Sequence, residues 1–181
     1  MTNLDKYTGR MGNRMFQFAF FYSYARDAGI DHYFQDPAFF EGHEQEIKLI
    51  FSEGLTQKID MVAIHVRRGD YVNNPFYVDL METDYYKRAM EEFPEAEFLV
   101  FSDDIKWCRQ QEIFKKCQFY HKDEIQDFNT MASCLGIIMA NSSFSWWASY
   151  IAPWANKIIT PREWFTMEGK DMACPDNFTR I

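Results

Sequence analysis

MVAIHVRRGDY, residues 61–71, is the stretch that decides the fold. A short β-branched apolar run ending in two arginines, a glycine and an aspartate reads as a buried strand with a charged carboxyl end. Strand alternation puts His65 and Arg67 on one face, Val66 and Arg68 on the other. Downstream the pattern becomes regular. A helix is predicted over Thr83 to Phe93, with Thr83 as its cap, then a strand over Glu97 to Phe101. A second helix is predicted over Asp104 to Phe114, followed by a short strand, CQFYH. A third helix runs from Asp123 to Leu135, with Asp123 and Gln126 spaced like a capping box. Ile125, Phe128, Met131, Ala132 and Leu135 fall on its apolar stripe. GIIMA is the next strand, SFSWWASYIA the next helix, and NKIIT a last strand closed by Pro161. Such alternation predicts an α/β, Rossmann-like parallel sheet with helices on both faces.

Upstream the pattern differs. GNRMFQFAFFYSYARDAG reads as one helix ending at Gly29, with Phe16, Phe20 and Tyr24 at four-residue steps. HYFQ is a possible strand, and the acidic stretch through DPAFFEGHEQE reads as loop. The division expected is a small N-terminal region, residues 1–59, and a Rossmann-like domain, residues 60–181.

Composition narrows the function. Of 181 residues, 47% are apolar and 18% aromatic, which is enough to build a core. A net charge of −8 argues against a nucleic-acid binder or an acidic-membrane binder, although a few local arginines can still hold an anionic ligand. Cys108, Cys117, Cys134 and Cys174 lack metal-like spacing and read as reduced thiols. The amino-terminal residues have no signal-peptide layout and no apolar run is long enough to span a bilayer, so a cytoplasmic location is expected. No P-loop, G-x-G-x-x-G or nucleophile motif is present.

In a parallel sheet, ligands gather beyond the carboxyl ends of the strands. Three polar clusters fall there. At the first, Arg67 and Arg68 offer planar guanidiniums that grip a diphosphate bidentately, and Gly69 permits a sharp turn. Pairing of either arginine with Asp70 is the plain structural reading. At the second, Ser102, Asp103 and Asp104 suit hydrogen bonds to a base or ribose better than a metal, since no histidine completes a set. At the third, Ser142 and Ser143 open a helix whose N–H groups favour an anion, or simply cap it. Trp146 and Trp147 are expected to pack in the core. His65, Arg68 and Asp70 belong to the first cluster.

GRMGNRMFQFAF, HVRRGDY, FSDDIKW and ANSSFSWWASYI occur in that order. They resemble the signature blocks of family 11 glycosyltransferases, the alpha-1,2-fucosyltransferases, and more distantly the alpha-1,6- and protein O-fucosyltransferases. The resemblance implies a reduced GT-B-type enzyme that transfers fucose from GDP-fucose to a hydroxyl of a glycan acceptor. Inversion of configuration, with no cofactor and no metal, is implied as well. By this likeness Arg67 holds the donor diphosphate and supports catalysis, with Arg68 beside it. Ser142, Ser143 and Phe144 match the segment contacting phosphate and guanine, and Asp103 or Asp104 lies near a guanine or ribose contact. Gly12 and Asn13 match the glycine-rich loop, with Asn13 facing the donor. His65 and Asp70 are expected to orient Arg67.

Two departures stand out. The family's first block is nearer G-G-L-G-N-Q, whereas this chain carries Arg10 and Arg14. Gly12 and His65 are 53 positions apart, a shorter interval than in typical members. The acceptor side is therefore expected to be reduced, and a non-catalytic GDP-sugar-binding remnant is the alternative reading. A related transferase with another donor or a protein acceptor also stays open. Association with a second copy through the aromatic helix Phe16 to Tyr24 is a further expectation.

Overall fold

The computed structural model describes residues 7, 9–27, 40–167 and 172–181, with the side chains of residues 21–27 outside that description. Six strands are described: β1 (Ile59–Val66), β2 (Phe98–Ser102), β3 (Gln118–Phe119), β4 (Cys134–Ile138), β5 (Lys157–Thr160) and β6 (Thr179–Arg180). They form one sheet in the order β3-β2-β1-β4-β5-β6, and every pair is parallel. Ile64 stands beside Val100 on one side and Ile138 on the other. The chain therefore starts in the middle, winds outward through β2 and β3, then returns to build the other half. The strand order reverses between β1 and β4, which opens a crevice at their carboxyl ends.

Six helices are described: α1 (Met11–Asp27), α2 (Glu44–Ser52), α3 (Tyr85–Glu91), α4 (Ile105–Cys108), α5 (Glu124–Ala132) and α6 (Ser143–Ile151). Alternate strand residues feed two cores, one on each face. Ala63, Leu99, Phe101 and Ile137 pack with Met15, Phe16, Ile47, Phe128 and Trp147. Val62, Ile64, Val100 and Ile138 pack with Tyr85, Tyr86, Cys108 and Phe114. Helices thus cover both faces, as expected for strands that read as continuous apolar runs.

Residues upstream of 59 share a core with the sheet. Phe16 lies 4.8 Å from each of Trp146 and Trp147, and Phe40 stacks on Trp147 at 5.6 Å. Both tryptophans are wholly buried. Phe16 and Phe20 are also buried, so they are taken up within the chain rather than offered to a second copy. The expected strand HYFQ and the stop at Gly29 lie outside the described residues.

Several element expectations are corrected. The stretch read as loop carries α2, whose acidic first turn, Glu44 and Glu46, hides a helix with a single fully buried residue, Ile47. The expected helix from Asp104 ends at Cys108, and a separate 3-10 turn covers Glu112–Phe114. Cys108 and Phe114 are both wholly buried, yet on a continuous helix they would point about 120° apart. The break lets both reach the core. Thr83 does not cap α3 as its first flanking residue; its hydroxyl accepts from the Tyr85 amide one position earlier, at 3.2 Å. In α5, Asp123 accepts from the Gln126 amide at 2.8 Å, but the Gln126 side chain turns back onto the Asp123 carboxylate instead of its backbone. Ile125 is 44% exposed and Leu135 belongs to β4, because the helix ends at Ala132 and the strand begins two residues later.

Candidate functional site

The crevice at the strand ends is a cleft of about 500 Å³. Its lining includes Gly12, Asn13, His65, Arg67, Asp70, Asp103, Ser142, Ser143 and Phe144. Arg68 and Asp104 are not among its walls. Strand alternation separates the two arginines. Arg67 leaves β1 on the cleft side, and Arg68 turns to the other face, where its guanidinium lies 3.6 Å from the Trp107 ring centroid and 3.9 Å from Asp79. Asp104 caps α4 by accepting from the Trp107 amide at 3.1 Å.

Arg67 is the fixed point. Its side chain is 10% exposed and bonds to Asp70, while its Nη1 lies 2.8 Å from Asp103 Oδ2. The ring of Tyr71 lies 5.3 Å from the same guanidinium. Asp103 is held in turn, its Oδ1 accepting from the Arg68 amide at 2.9 Å. Gly69 makes that possible: a Cβ there would sit 2.5 Å from Asp103 Oδ2, and its φ is +23°. Burial raises the Asp70 carboxyl, but the charge and hydrogen bond of Arg67 outweigh this and leave it below the ordinary value. Asp70 thus does pair with Arg67, whereas His65 makes no hydrogen bond to it.

His65 is 5% exposed, and burial followed by the Arg67 charge lowers its pKa to about 3. The imidazole is neutral at ordinary pH. Its Nδ1 is buried without a hydrogen-bond partner, and its ring rests 5.4 Å from that of Phe144. Its place on the cleft wall leaves that nitrogen open to a hydrogen bond with water or a ligand.

Two helix starts meet across the cleft. Ser142 caps α6 by accepting from the Phe144 amide at 3.3 Å. The Ser143 hydroxyl donates to Asn13 Oδ1 at 2.9 Å, tying α6 to the first turn of α1. Gly12 fits against that junction so closely that a Cβ would lie 2.6 Å from the Ser143 carbonyl carbon. The Met11 amide donates to Glu124 at 3.4 Å and the Phe144 amide to Ser142, and the positive dipole ends of the two helices converge on the cleft beside Arg67, which favours an anion there.

Sequence reasoning missed several walls. Arg10 reaches over the turn at Gly69, its guanidinium 4.0 Å from Asp70 and 3.9 Å from Asp103. Asp127, on α5, accepts from His121 Nδ1 and from the Lys122 amide, each at 2.8 Å. A carboxylate four residues before buried Met131, on the same stripe, is the signal that marks it. Tyr71, Tyr77, Trp164 and Phe165 also line the cleft; Tyr71 closes a 3-10 turn and Tyr77 pairs with Phe165 in an isolated bridge, segments too short to show periodicity. Among the described residues, no group of three or more His, Cys, Asp or Glu is placed to hold a metal ion. None of the described helices is long and apolar enough to cross a membrane.

The family model for glycosyl transferase family 11 matches residues 17–168. The chain belongs to that family. The chain is 26% identical over 179 residues to the O-antigen biosynthesis glycosyltransferase WbnK of Escherichia coli, covering 82% of the chain and 59% of that protein. It is 29% identical over 184 residues to an alpha-1,2-colitosyltransferase of Escherichia coli, covering 82% of the chain and 61% of that enzyme. Against galactoside alpha-(1,2)-fucosyltransferase 2 of Rattus norvegicus the identity is 28% over 127 residues, 61% of the chain and 36% of the rat enzyme. The chain therefore spans about three-fifths of the length of the two bacterial relatives. In this family 11 chain the cleft lies at the reversal of strand order.

Proposed function

We propose that this family 11 chain binds GDP-fucose and forms the donor half of an inverting, metal-independent fucosyltransferase acting on a hydroxyl of a glycan. A GT-B-type arrangement, with acceptor-side structure facing the carboxyl ends of the strands, belongs to the same proposal. The observation that carries it is Arg67, largely covered at the crevice, held by Asp70 and Asp103 and sharing the cleft with two helix starts. In the transfer, the acceptor oxygen bonds to the anomeric carbon as the bond to the diphosphate breaks. GDP leaves with the electron pair and the hydroxyl proton is released. Charge therefore builds on the diphosphate, where a preorganised guanidinium is worth about 3–4 kcal/mol. Asp70 and Asp103 are engaged by arginine, which supports guanidinium rather than metal as the source of positive charge.

The test is a calorimetric titration of the protein and of Arg67→Ala with GDP, GDP-fucose, GDP-mannose and UDP-galactose. Binding selective for the guanine nucleotides, at least tenfold weaker in Arg67→Ala, is expected. Failure of the wild-type protein to bind any of the four overturns the reading. The second reading, a GDP-sugar binder without turnover, draws on the 59–61% share of the bacterial relatives that the chain spans. Acceptor-dependent release of GDP from GDP-fucose separates the two.

A further inference from the structure

The cleft is laid out in strand order. His121 follows β3, Asp103 follows β2, Arg67 follows β1, Ser142 follows β4 and Trp164 follows β5. With neighbouring strands about 4.8 Å apart, the row from β3 to β5 spans roughly 19 Å. Its two ends differ in chemistry. One carries His121, Glu124 and Asp127; the other carries Tyr71, Tyr77, Trp164 and Phe165. Arg67 stands at the boundary, bonded to Asp103 on one side and beneath the Tyr71 ring on the other.

The aromatic end is built as a wall. Tyr71 and Tyr77 stack with centroids 3.7 Å apart and planes 7° from parallel. Tyr77 pairs with Phe165 through an antiparallel bridge, and their rings meet at 40° with centroids 5.7 Å apart. Phe76 extends the rim, 42% exposed, with its centroid 5.0 Å from that of Phe165. Several polar atoms of this end are engaged within the wall. Tyr71 donates to the Asn141 carbonyl at 3.0 Å, Asn141 Nδ2 donates to Val78 and Trp164 carbonyls at 2.9 Å each, and Trp164 Nε1 donates to Thr160.

That segregation sets a direction. The bond that breaks joins a sugar to the diphosphate at Arg67, so the nucleoside and the sugars lie on opposite sides of it. A purine edge is read by polar side chains, which cluster at the end carrying His121, Glu124 and Asp127, whereas the other end is walled mainly by aromatic rings. A pyranose presents a face of C–H groups, positively polarised by the ring oxygens, which packs against the negative face of an aromatic ring. We infer that Tyr77, Phe165 and the Phe76 rim form the acceptor subsite, taking the C–H face of a terminal pyranose of the glycan. The inference rests on the donor reading above and deepens it.

Phe165→Ala, Phe165→Trp and the rim variant Phe76→Ala test it, with lactose and methyl β-galactoside as probes. Saturation-transfer NMR reads contact with the wall; calorimetry reads GDP and GDP-fucose. Phe165→Ala is expected to abolish saturation transfer to the galactose C–H protons and to raise the lactose KM at least tenfold. Phe165→Trp restores both. Phe76→Ala, exposed and so safe for folding, raises the KM two- to fivefold. Affinity for GDP and GDP-fucose stays within twofold throughout. An unchanged lactose signal in both alanine variants overturns the inference. Loss of GDP-fucose affinity with GDP affinity kept also overturns it, since the wall then holds the donor's own sugar. A wild-type protein that binds no guanine nucleotide sinks the donor reading instead, while the NMR still reports on the wall.

Discussion

A guanidinium clamps an anion only when its own neighbours leave it some positive charge to offer. The cleft walls carry Arg10 and Arg67 against Asp70, Asp103, Glu124 and Asp127, and His65 is neutral. Arg67 is bound directly by two of those carboxylates. Arg10 is 61% exposed, and its ion pairs at 3.9–4.0 Å are too long for hydrogen bonds, so it is the cation most open to a diphosphate. Arg10→Gln is accordingly predicted to weaken GDP binding by about ten- to a hundredfold, the worth of a hydrogen bond to a charged partner. Thermal stability should not move, because surface ion pairs contribute little. Titration with GDP and a melting curve check both halves; unaltered GDP affinity refutes the first. At this scale the sequence told much about Arg67 and Arg68, because alternation on a strand fixes which face each takes. It told little about Arg10, whose importance comes from a turn 59 residues away in sequence, at Gly69.

Elements meet at the site through their ends. The first turn of α1 and the start of α6 are joined by the Ser143–Asn13 hydrogen bond, and Gly12 is the close approach that permits it. In Gly12→Ala, the new methyl would lie 2.6–2.7 Å from backbone atoms of Ser143 and Phe144, so the two helices must separate. A loss of about 1–3 kcal/mol in stability is predicted from overpacking, with GDP affinity reduced because both helix starts move. Urea unfolding and calorimetry test this, and a variant with wild-type values for both would show that the junction yields without cost. Caps were legible where a polar side chain precedes an apolar stripe, as at Asp123 and Ser142. The end of α4 was not, since Cys108 and Phe114 are drawn to the same core by tertiary packing that no local pattern encodes. The two-residue strand β6 is too short to show any period.

For the whole molecule, the central strand couples the site to stability. His65 lies in β1 with five of its eight residues buried, including itself, and carries both the cleft wall and the Tyr86 hydroxyl bond to its carbonyl at 2.9 Å. The doubly wound topology was readable because β1, β2 and β4 are apolar along most of their length, as strands covered on both faces must be. The cost of placing an imidazole in such a strand was not readable, because it depends on how completely α1, α5 and α6 close over it. Burial and the Arg67 charge hold the folded pKa near 3 against 6.5 in the unfolded chain. Above pH 6.5 the ring is neutral in both states and its folded environment is fully stable. As pH falls below 6.5 the unfolded chain takes up a proton that the folded chain refuses, so stability declines by about 1.4 kcal/mol per pH unit. Asp70, with its folded pKa depressed, adds a loss only at pH values below the ordinary carboxylate range. Between pH 6.5 and 4.5, then, His65 is predicted to cost about 2–3 kcal/mol. Urea unfolding of the wild type and of His65→Gln across that range should show a steep fall in the first and a shallower one in the second. Parallel slopes would mean that the strand opens enough on acidification to let the imidazole charge in place.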